Sequence, residues 1–505
     1  MDKQDLLDPK AAFDVHMLEW IFHKHGTIAK SELITNLDTT PRMLSDHVAA
    51  LNDNLKIICA DDNIELTENR TTVALKMKPE LILEEITNRI IRNSLAYKIL
   101  SYVFWHNNFT MQKMQQDLLI SESTLFRAMN RINNLLSEFQ ISIRNNRING
   151  SEINIRHFYY KLYLTLNARS LRLNTLAEPH AQQFLKDYEA LVGSPLSEKN
   201  HTALRIYWNM VFQRLKTKDL KYEFDIVNIQ TVKNKPFGRE LIRIFEKNFN
   251  FFFQSQLKSE ILAFIIFVSF ENTVPMDSPF FKFLFSSEFP YIRNLRQVIS
   301  EVLDVLNVKF HFGTHYHSLR YSLYLELGSI MYIPGVMGSR YQLIYTAMRG
   351  VYWRPNSGQI LYRDYLIKRL QMMNPVFSQP TVVHFLEGYL TMILLMLLNN
   401  TEKTFQIGFY DIHEPSTNYY LIQAFNAQIA ANFNVNVTPF IRDTHYDLVL
   451  TTNTAHSVMV NRAVASPDNV IKVKDFGTPN DFSSIFVVLD RLVSEYLKEG
   501  LDEFI

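Results

Sequence analysis

A single cysteine, Cys59, stands in 505 residues, so the chain can form neither an internal disulfide nor a cysteine-based zinc site. Glycine is scarce as well: 14 positions, about 3% against a usual share near 7%. Glycine-rich phosphate loops and tight-turned β-architectures consume glycine. Its shortage favours a mainly helical protein and disfavours nucleotide enzymes. Neither charge sign predominates. Lys and Arg number 52 against 51 Asp and Glu, a net charge of +1, which excludes a globally basic chain and confines any nucleic-acid site to a local patch. No uninterrupted apolar run is long enough for a bilayer. The longest candidate, residues 381–398, carries His384 and Glu387, which a membrane interior would penalise strongly. The opening stretch, MDKQDLLDPK, is polar and acidic, unlike a secretory signal. These features predict a soluble, cytoplasmic protein with no membrane contact.

What is present is a globular composition. An apolar share of 47% supports well-filled cores, and the length corresponds to about three to five domains. Two N-terminal segments repeat one plan. In the first, residues 11–25 carry Phe13, Met17, Trp20 and Ile21 at helical spacing, and a short helix over 30–37 follows. Thr40 and Pro41 then suit the cap and first position of a helix to Leu55, with Leu44, Val48, Leu51 and Leu55 inward. Residues 57–60 and 64–66, around Asp61-Asp62-Asn63, read as a hairpin wing. In the second segment, residues 86–105 read as one helix and Thr110 caps residues 111–119. Ser121 caps a helix to about Phe139 with Leu125, Met129, Ile132 and Leu136 inward. A hairpin is predicted around Asn145-Asn146. Each segment is a winged helix-turn-helix pattern.

From Glu152 to about Asn400 the pattern is almost continuously helical, consistent with two bundles divided near residue 288. Beyond that, residues 405–410, 435–440, 446–451 and 470–474 read as strands, with helices over 418–432 and 481–498. That alternation predicts a small α/β domain with a parallel sheet. The predicted class is mainly α and multidomain: 1–78 and 79–170 as the two winged modules, 171–288 and 289–400 as helical domains, 401–505 as the α/β domain.

Candidate chemistry concentrates on the second recognition helix. Ser123, Thr124, Arg127, Asn130, Arg131 and Asn134 fall on its outer face, and Arg144 and Arg147 on its wing. Arg pairs with guanine and Asn with adenine through two hydrogen bonds each, while Ser and Thr suit phosphates. Residues 92–172 hold eleven basic and four acidic residues, a balance of +7. Residues 1–78 hold nine basic and thirteen acidic, a balance of −4. Double-stranded DNA should therefore prefer the second module. Arg42, Ser45 and Asn52 are the corresponding candidates in the first, where Asp46 opposes phosphate. The competing class is a protein–protein scaffold that uses these modules as docking surfaces. His311, His315 and His317 in HFGTHYH suggest a metal site, but Gly313 interrupts the helix that would align them, and no nearby cysteine completes a ligand set. His201 and His384 are isolated. Asp411, His413 and Ser416 crowd one loop of the α/β domain without a nucleophile's usual setting, so no catalytic residue and no cofactor is expected.

The stretch NFTMQKMQQDLLISESTLFRAMNRINNLLSEFQISI resembles the second helix-turn-helix of the Mga/AtxA family of bacterial transcription regulators. Ser121, Ser123, Thr124, Leu125 and Arg127, with Ile148, Gly150, Ser151, Glu152, Ile155 and Arg156, carry the likeness, and the domain order agrees. The resemblance implies that the two bundles are PRD-like (phosphotransferase-system regulation domains) and that the last domain is EIIB-like. It also implies a regulator of virulence or carbohydrate genes in a Gram-positive bacterium, acting on DNA as a dimer or larger homo-oligomer. Phosphotransferase-system proteins would phosphorylate bundle histidines, with His201 as candidate acceptor in the first bundle and His315 or His317 in the second. Unlike enzymatic EIIB domains, this chain has no cysteine after the first strand of its α/β domain.

Overall fold

The computed structural model describes residues 3–62, 64–106, 109–166, 178–215, 217, 220–222, 227–250, 254–271, 278–286, 289–332, 355–411, 415–452, 462–474 and 477–502. They fall into two compact units, residues 1–290 with 332–339, and residues 291–331 with 340–505.

The first unit opens with the two predicted modules. Module 1 comprises α1 (Pro9–His23), β1 (Thr27–Ala29), α2 (Lys30–Asn36), α3 (Pro41–Ile58), β2 (Glu65–Glu68) and β3 (Thr72–Lys76). The strands form an antiparallel sheet in the order β1-β3-β2. Thr40 caps α3 by accepting the Met43 amide, and Leu44, Val48, Leu51 and Leu55 are buried. The wing lies later than the sequence suggested. Cys59 continues the buried stripe one turn beyond Leu55, so the helix runs through Ile57, whose side chain is 77% exposed. Residues 60–62 form a 3-10 turn, and the hairpin reverses at Asn69, whose side chain accepts the Thr71 and Thr72 amides.

Module 2 follows as α4 (Leu83–Asn93), α5 (Leu95–Trp105), α6 (Met111–Leu118), α7 (Glu122–Leu136), β4 (Ser142–Arg144) and β5 (Arg147–Asn149). The single helix expected over 86–105 is broken at Ser94, whose extended backbone ends α4 while its hydroxyl caps α5 at the Tyr97 amide. Thr110 and Ser121 cap α6 and α7 as read from the sequence, and Leu125, Met129, Ile132 and Leu136 are buried. Asn145 and Asn146 have φ of 52° and 60°, the left-handed pair that a two-residue hairpin turn requires. Gly150, at φ 146°, closes the wing; a Cβ there would lie 2.7 Å from Cγ2 of Ile141.

Seven helices complete the description of this unit: α8 (Glu152–Thr165), α9 (Glu178–Val192), α10 (Glu198–Arg214), α11 (Ile229–Lys233), α12 (Pro236–Asn248), α13 (Gln254–Phe270) and α14 (Pro279–Phe285). Their core is aromatic: Phe184, Trp208, Phe245, Phe249 and Phe264 pack with ring centroids between 4.4 and 6.0 Å apart. Charge is buried beside this core. Arg156 of α8 donates to Glu152 at 2.9 Å and to both oxygens of Glu260 at 2.6 and 2.9 Å, and Arg214 donates to Glu152 at 3.0 to 3.2 Å. Nearby His157 sits 3.2 Å from Glu271, which also holds Lys161 at 2.7 Å. Burial drives the His157 imidazolium below its ordinary pKa, so it is neutral near pH 7.

The second unit holds the helices Pro290–Asn307 (from Tyr291 onward), Tyr316–Tyr332 (to Met331), Ser357–Met373 and Pro380–Met396, then the α/β portion. Strands Phe405–Tyr410, Val435–Pro439, Leu448–Thr451 and Val470–Lys472 form a parallel sheet in spatial order second, first, third, fourth. The helices Pro415–Ala430 and Pro479–Asp502 complete it, in agreement with the α/β pattern of the sequence. Gly358 admits the backbone of Ser494, whose hydroxyl accepts the Gly358 amide at 2.7 Å; a Cβ there would lie 2.7 Å from the Ser494 carbonyl. Among the described residues no helix is long and apolar enough to cross a membrane.

Candidate nucleic-acid interface

The two recognition helices, α3 and α7, share one register. Counted from the caps Thr40 and Ser121, Leu44 matches Leu125, Val48 matches Met129, Leu51 matches Ile132 and Leu55 matches Leu136. The match extends to a polar tie. Asn52 accepts the Leu66 amide of its wing at 2.9 Å, and Asn133 accepts the Ile143 amide at 2.7 Å while donating to the Ile143 carbonyl at 3.1 Å. Both asparagines thus fix a wing strand to its helix. Asn52 therefore faces its own wing and not a groove, and Asn133, at the same spacing from its cap, does the same.

The same register shows how the outward faces differ. Where module 2 exposes Arg127, Asn130 and Asn134, module 1 has Asp46, Ala49 and Asp53. Ser123 is exposed and Thr124 partly so, both at the capped N-terminus of α7, where Ser121 also bonds each hydroxyl. Arg127 stays exposed, its Nε donating to the Ser123 carbonyl at 3.3 Å. Arg144 and Arg147 pair across the wing hairpin and are exposed. In module 1, Arg42 is exposed, but Ser45 does not point outward: its hydroxyl donates to Glu68 at 2.5 Å. Burial favours the neutral Glu68 carboxyl, yet the Lys30 ammonium and the Ser45 hydroxyl outweigh it and hold the group below the usual carboxylate range.

Arg131 is also placed differently from the sequence reading. Its guanidinium donates to the Asp5 carbonyl at 2.6 Å and to the Leu7 carbonyl, so the N-terminal segment holds it along one flank of α7. The balance of +7 contracts for the same reason. Arg156 is buried, Arg92 donates to Glu85 and to the Leu166 carbonyl, and Lys161 faces Glu271, while Arg169 and Arg172 lie outside the described residues. The exposed cations remaining over this span are Lys98, Lys113, Arg127, Arg144 and Arg147, with Arg131 engaged by the arm.

The other candidate groups stay dispersed. His311 donates its amide to Asn400, His315 belongs to a 3-10 turn, and His317 begins a helix. Among the described residues no cluster of three or more His, Cys, Asp or Glu is arranged to hold a metal ion. His201 places Nε2 2.9 Å from Glu189, a partner its sequence spacing did not reveal, and the exposed His384 lies 3.5 Å from Glu387. Thr452 donates to Asp411, whereas His413 and the Ser416 side chain lie outside the described residues.

Residues 79–163, which span module 2 and most of α8, match the Mga helix-turn-helix domain. A protein of Streptococcus pneumoniae serotype 4 named as a trans-acting regulator is 21% identical over 320 residues, 61% of this chain and 62% of that protein. The capsule synthesis positive regulator AcpB of Bacillus anthracis is 26% identical over 166 residues, 32% of this chain and 34% of that protein. The chain thus matches less than two thirds of the length of either relative. With the tandem winged modules and the mainly helical architecture, these matches support a likeness to regulators of the Mga/AtxA type, carried by the helix-turn-helix of residues 79–163.

Proposed function

We propose that this protein is a transcriptional regulator that binds double-stranded DNA mainly through module 2. The observation that carries the reading is the contrast within one shared register: Arg127, Asn130 and Asn134 in module 2 against Asp46, Ala49 and Asp53 in module 1. A duplex repels the second set and is bound by the first. Ser123 and Thr124 would approach phosphates at the start of α7. Arg144 and Arg147 would hold the backbone beside the groove. The test is a gel-shift titration of the full-length protein against salt. Arg127→Ala should lower affinity and reduce the salt slope by about 0.9, the share of one phosphate contact; unchanged affinity and slope would refute the assignment.

The remaining features form a proposal of their own. The helical segments act as PRD-like domains, and the parallel α/β domain as an EIIB-like element that supports homo-oligomerisation in the cytoplasm. A phosphoryl group on His201 in the first bundle, or on His315 or His317 in the second, would add negative charge and shift that equilibrium. Incubation with general phosphotransferase proteins, followed by mapping of acid-labile phosphate, tests it; no label on any histidine refutes it. A docking role suits module 1 better than module 2, because Met43, Asp46, Ala49 and Asp53 give α3 a mixed apolar and acidic face.

A further inference from the structure

Phe126 is the fifth residue of α7, immediately before Arg127, and its ring is 63% exposed. An aromatic ring left largely in water forgoes much of the stabilisation that its burial would give. Its neighbours on the exposed helix surface, Glu122, Ser123, Arg127 and Asn130, are all polar or charged. The matching residue of module 1 is Ser45, which closes the crevice between helix and wing through Glu68, and Glu68 also pairs with Lys30. In module 2 the matching side chain, Phe126, is a hydrocarbon ring that can make no such bond. The wing of module 2 turns through Arg144, Asn145, Asn146 and Arg147, all exposed. One helix-wing crevice is therefore closed by a carboxylate, while module 2 presents an aromatic ring next to Arg127 on a helix whose wing carries the exposed Arg144 and Arg147.

An occupant must satisfy both features. The cations select a polyanion, and the ring selects apolar surface set within it. Duplex DNA offers that combination in its major groove, where the C5-methyl of thymine projects among the base edges and phosphates line the rim. We infer that Phe126 is a specificity-determining residue that packs on a thymine methyl in the groove beside Arg127. This inference rests on the DNA-binding reading above and adds to it a preference that Arg127 and the asparagines do not supply.

The test compares matched duplexes. A duplex selected from random sequence by the full-length protein is prepared with thymine, and again with deoxyuridine in its place, which removes only the methyl groups. The native protein should bind the deoxyuridine duplex about three- to fivefold more weakly for each methyl contacted, the effect of one buried carbon. Phe126→Ala should bind both duplexes equally and keep the salt slope of the native protein, since no phosphate contact is lost. Phe126→Leu should retain part of the discrimination. Circular dichroism should show that both variants are folded, because the ring is exposed. Equal binding of the two duplexes by the native protein would overturn the inference alone, as would full discrimination by Phe126→Ala. Failure to select any duplex with salt-sensitive binding would overturn the DNA-binding reading and this inference with it.

Discussion

Arg131 donates to the backbone carbonyl of Asp5 at 2.6 Å, a contact between residues 126 positions apart, and its second bond goes to Leu7. The segment it grips is anchored elsewhere too. Lys3 bonds Glu84 and Asn88 of α4, Gln4 bonds Glu19 of α1, and Leu6 and Leu7 are buried. The recognition helix of module 2 is thereby strapped to the N-terminal arm of module 1.

That placement separates two arginines one helical turn apart. Arg131→Ala should destabilise the first unit by about 1–2 kcal/mol, since hydrogen bonds from a charged donor contribute somewhat more than neutral ones and this one is partly exposed. It should leave the salt slope of DNA binding unchanged. Arg127→Ala should do the reverse, with stability kept within about 0.5 kcal/mol. Urea denaturation and binding titrations of the two variants measure both halves.

The paired asparagines give an internal control. Asn133→Ala leaves the Ile143 amide and carbonyl of the wing without their partner and should cost about 1–3 kcal/mol; Asn52→Ala should cost a similar or smaller amount in module 1. Only Asn133→Ala should weaken DNA binding, because it loosens the wing that carries Arg144 and Arg147. Equal loss of affinity in both variants would mean that both wings contact the duplex.

The buried charges of α8, α10 and α13 make a sharper demand. Arg156→Ala removes the main partner of Glu260, leaving it the Tyr222 hydroxyl, while Glu152 retains Arg214. Stranding a carboxylate with no accessible surface should cost about 3–5 kcal/mol, read as a lower denaturation midpoint. Loss of less than about 1 kcal/mol would show that water reaches the site in solution.

Asp490 provides a pH dependence. Burial raises its carboxyl from 3.8 to about 6. The unfolded chain loses this proton near 3.8 and the folded chain near 6, so the folded state binds more protons between those values. Its contribution is fully present below about pH 3.8 and is lost as pH rises through 6. Asp490→Asn should therefore stabilise the α/β domain at pH 7.5, by roughly 1 kcal/mol after allowance for solvent screening, and change little at pH 3.5. Thermal unfolding at the two pH values checks the sign.

Local chemistry was legible in the sequence. Thr40, Thr110 and Ser121 cap their helices because the bond each makes reaches only three residues along the chain. Asn145-Asn146 marked its turn because few other residues tolerate two successive left-handed conformations. The first wing was misplaced because Asp61-Asp62-Asn63 has turn chemistry, whereas burial of Cys59 on the stripe of Leu55 carries α3 past it. Long-range partners left no periodic trace. Glu260 lies 104 positions from Arg156 and Glu152 lies 62 from Arg214, so the sequence alone left charges that are buried and paired looking like part of a basic surface.

The claim that module 2 contacts the duplex is tested most directly by the salt dependence of DNA affinity in Arg127→Ala/Arg144→Ala/Arg147→Ala, compared with Arg42→Ala and the native protein. Loss of three phosphate contacts should flatten the slope of log affinity against log salt by about 2.7, at roughly 0.9 per contact, while Arg42→Ala should flatten it by less than about 0.9. A triple variant with the native slope, or an Arg42→Ala slope that falls as far as the triple, would contradict the account.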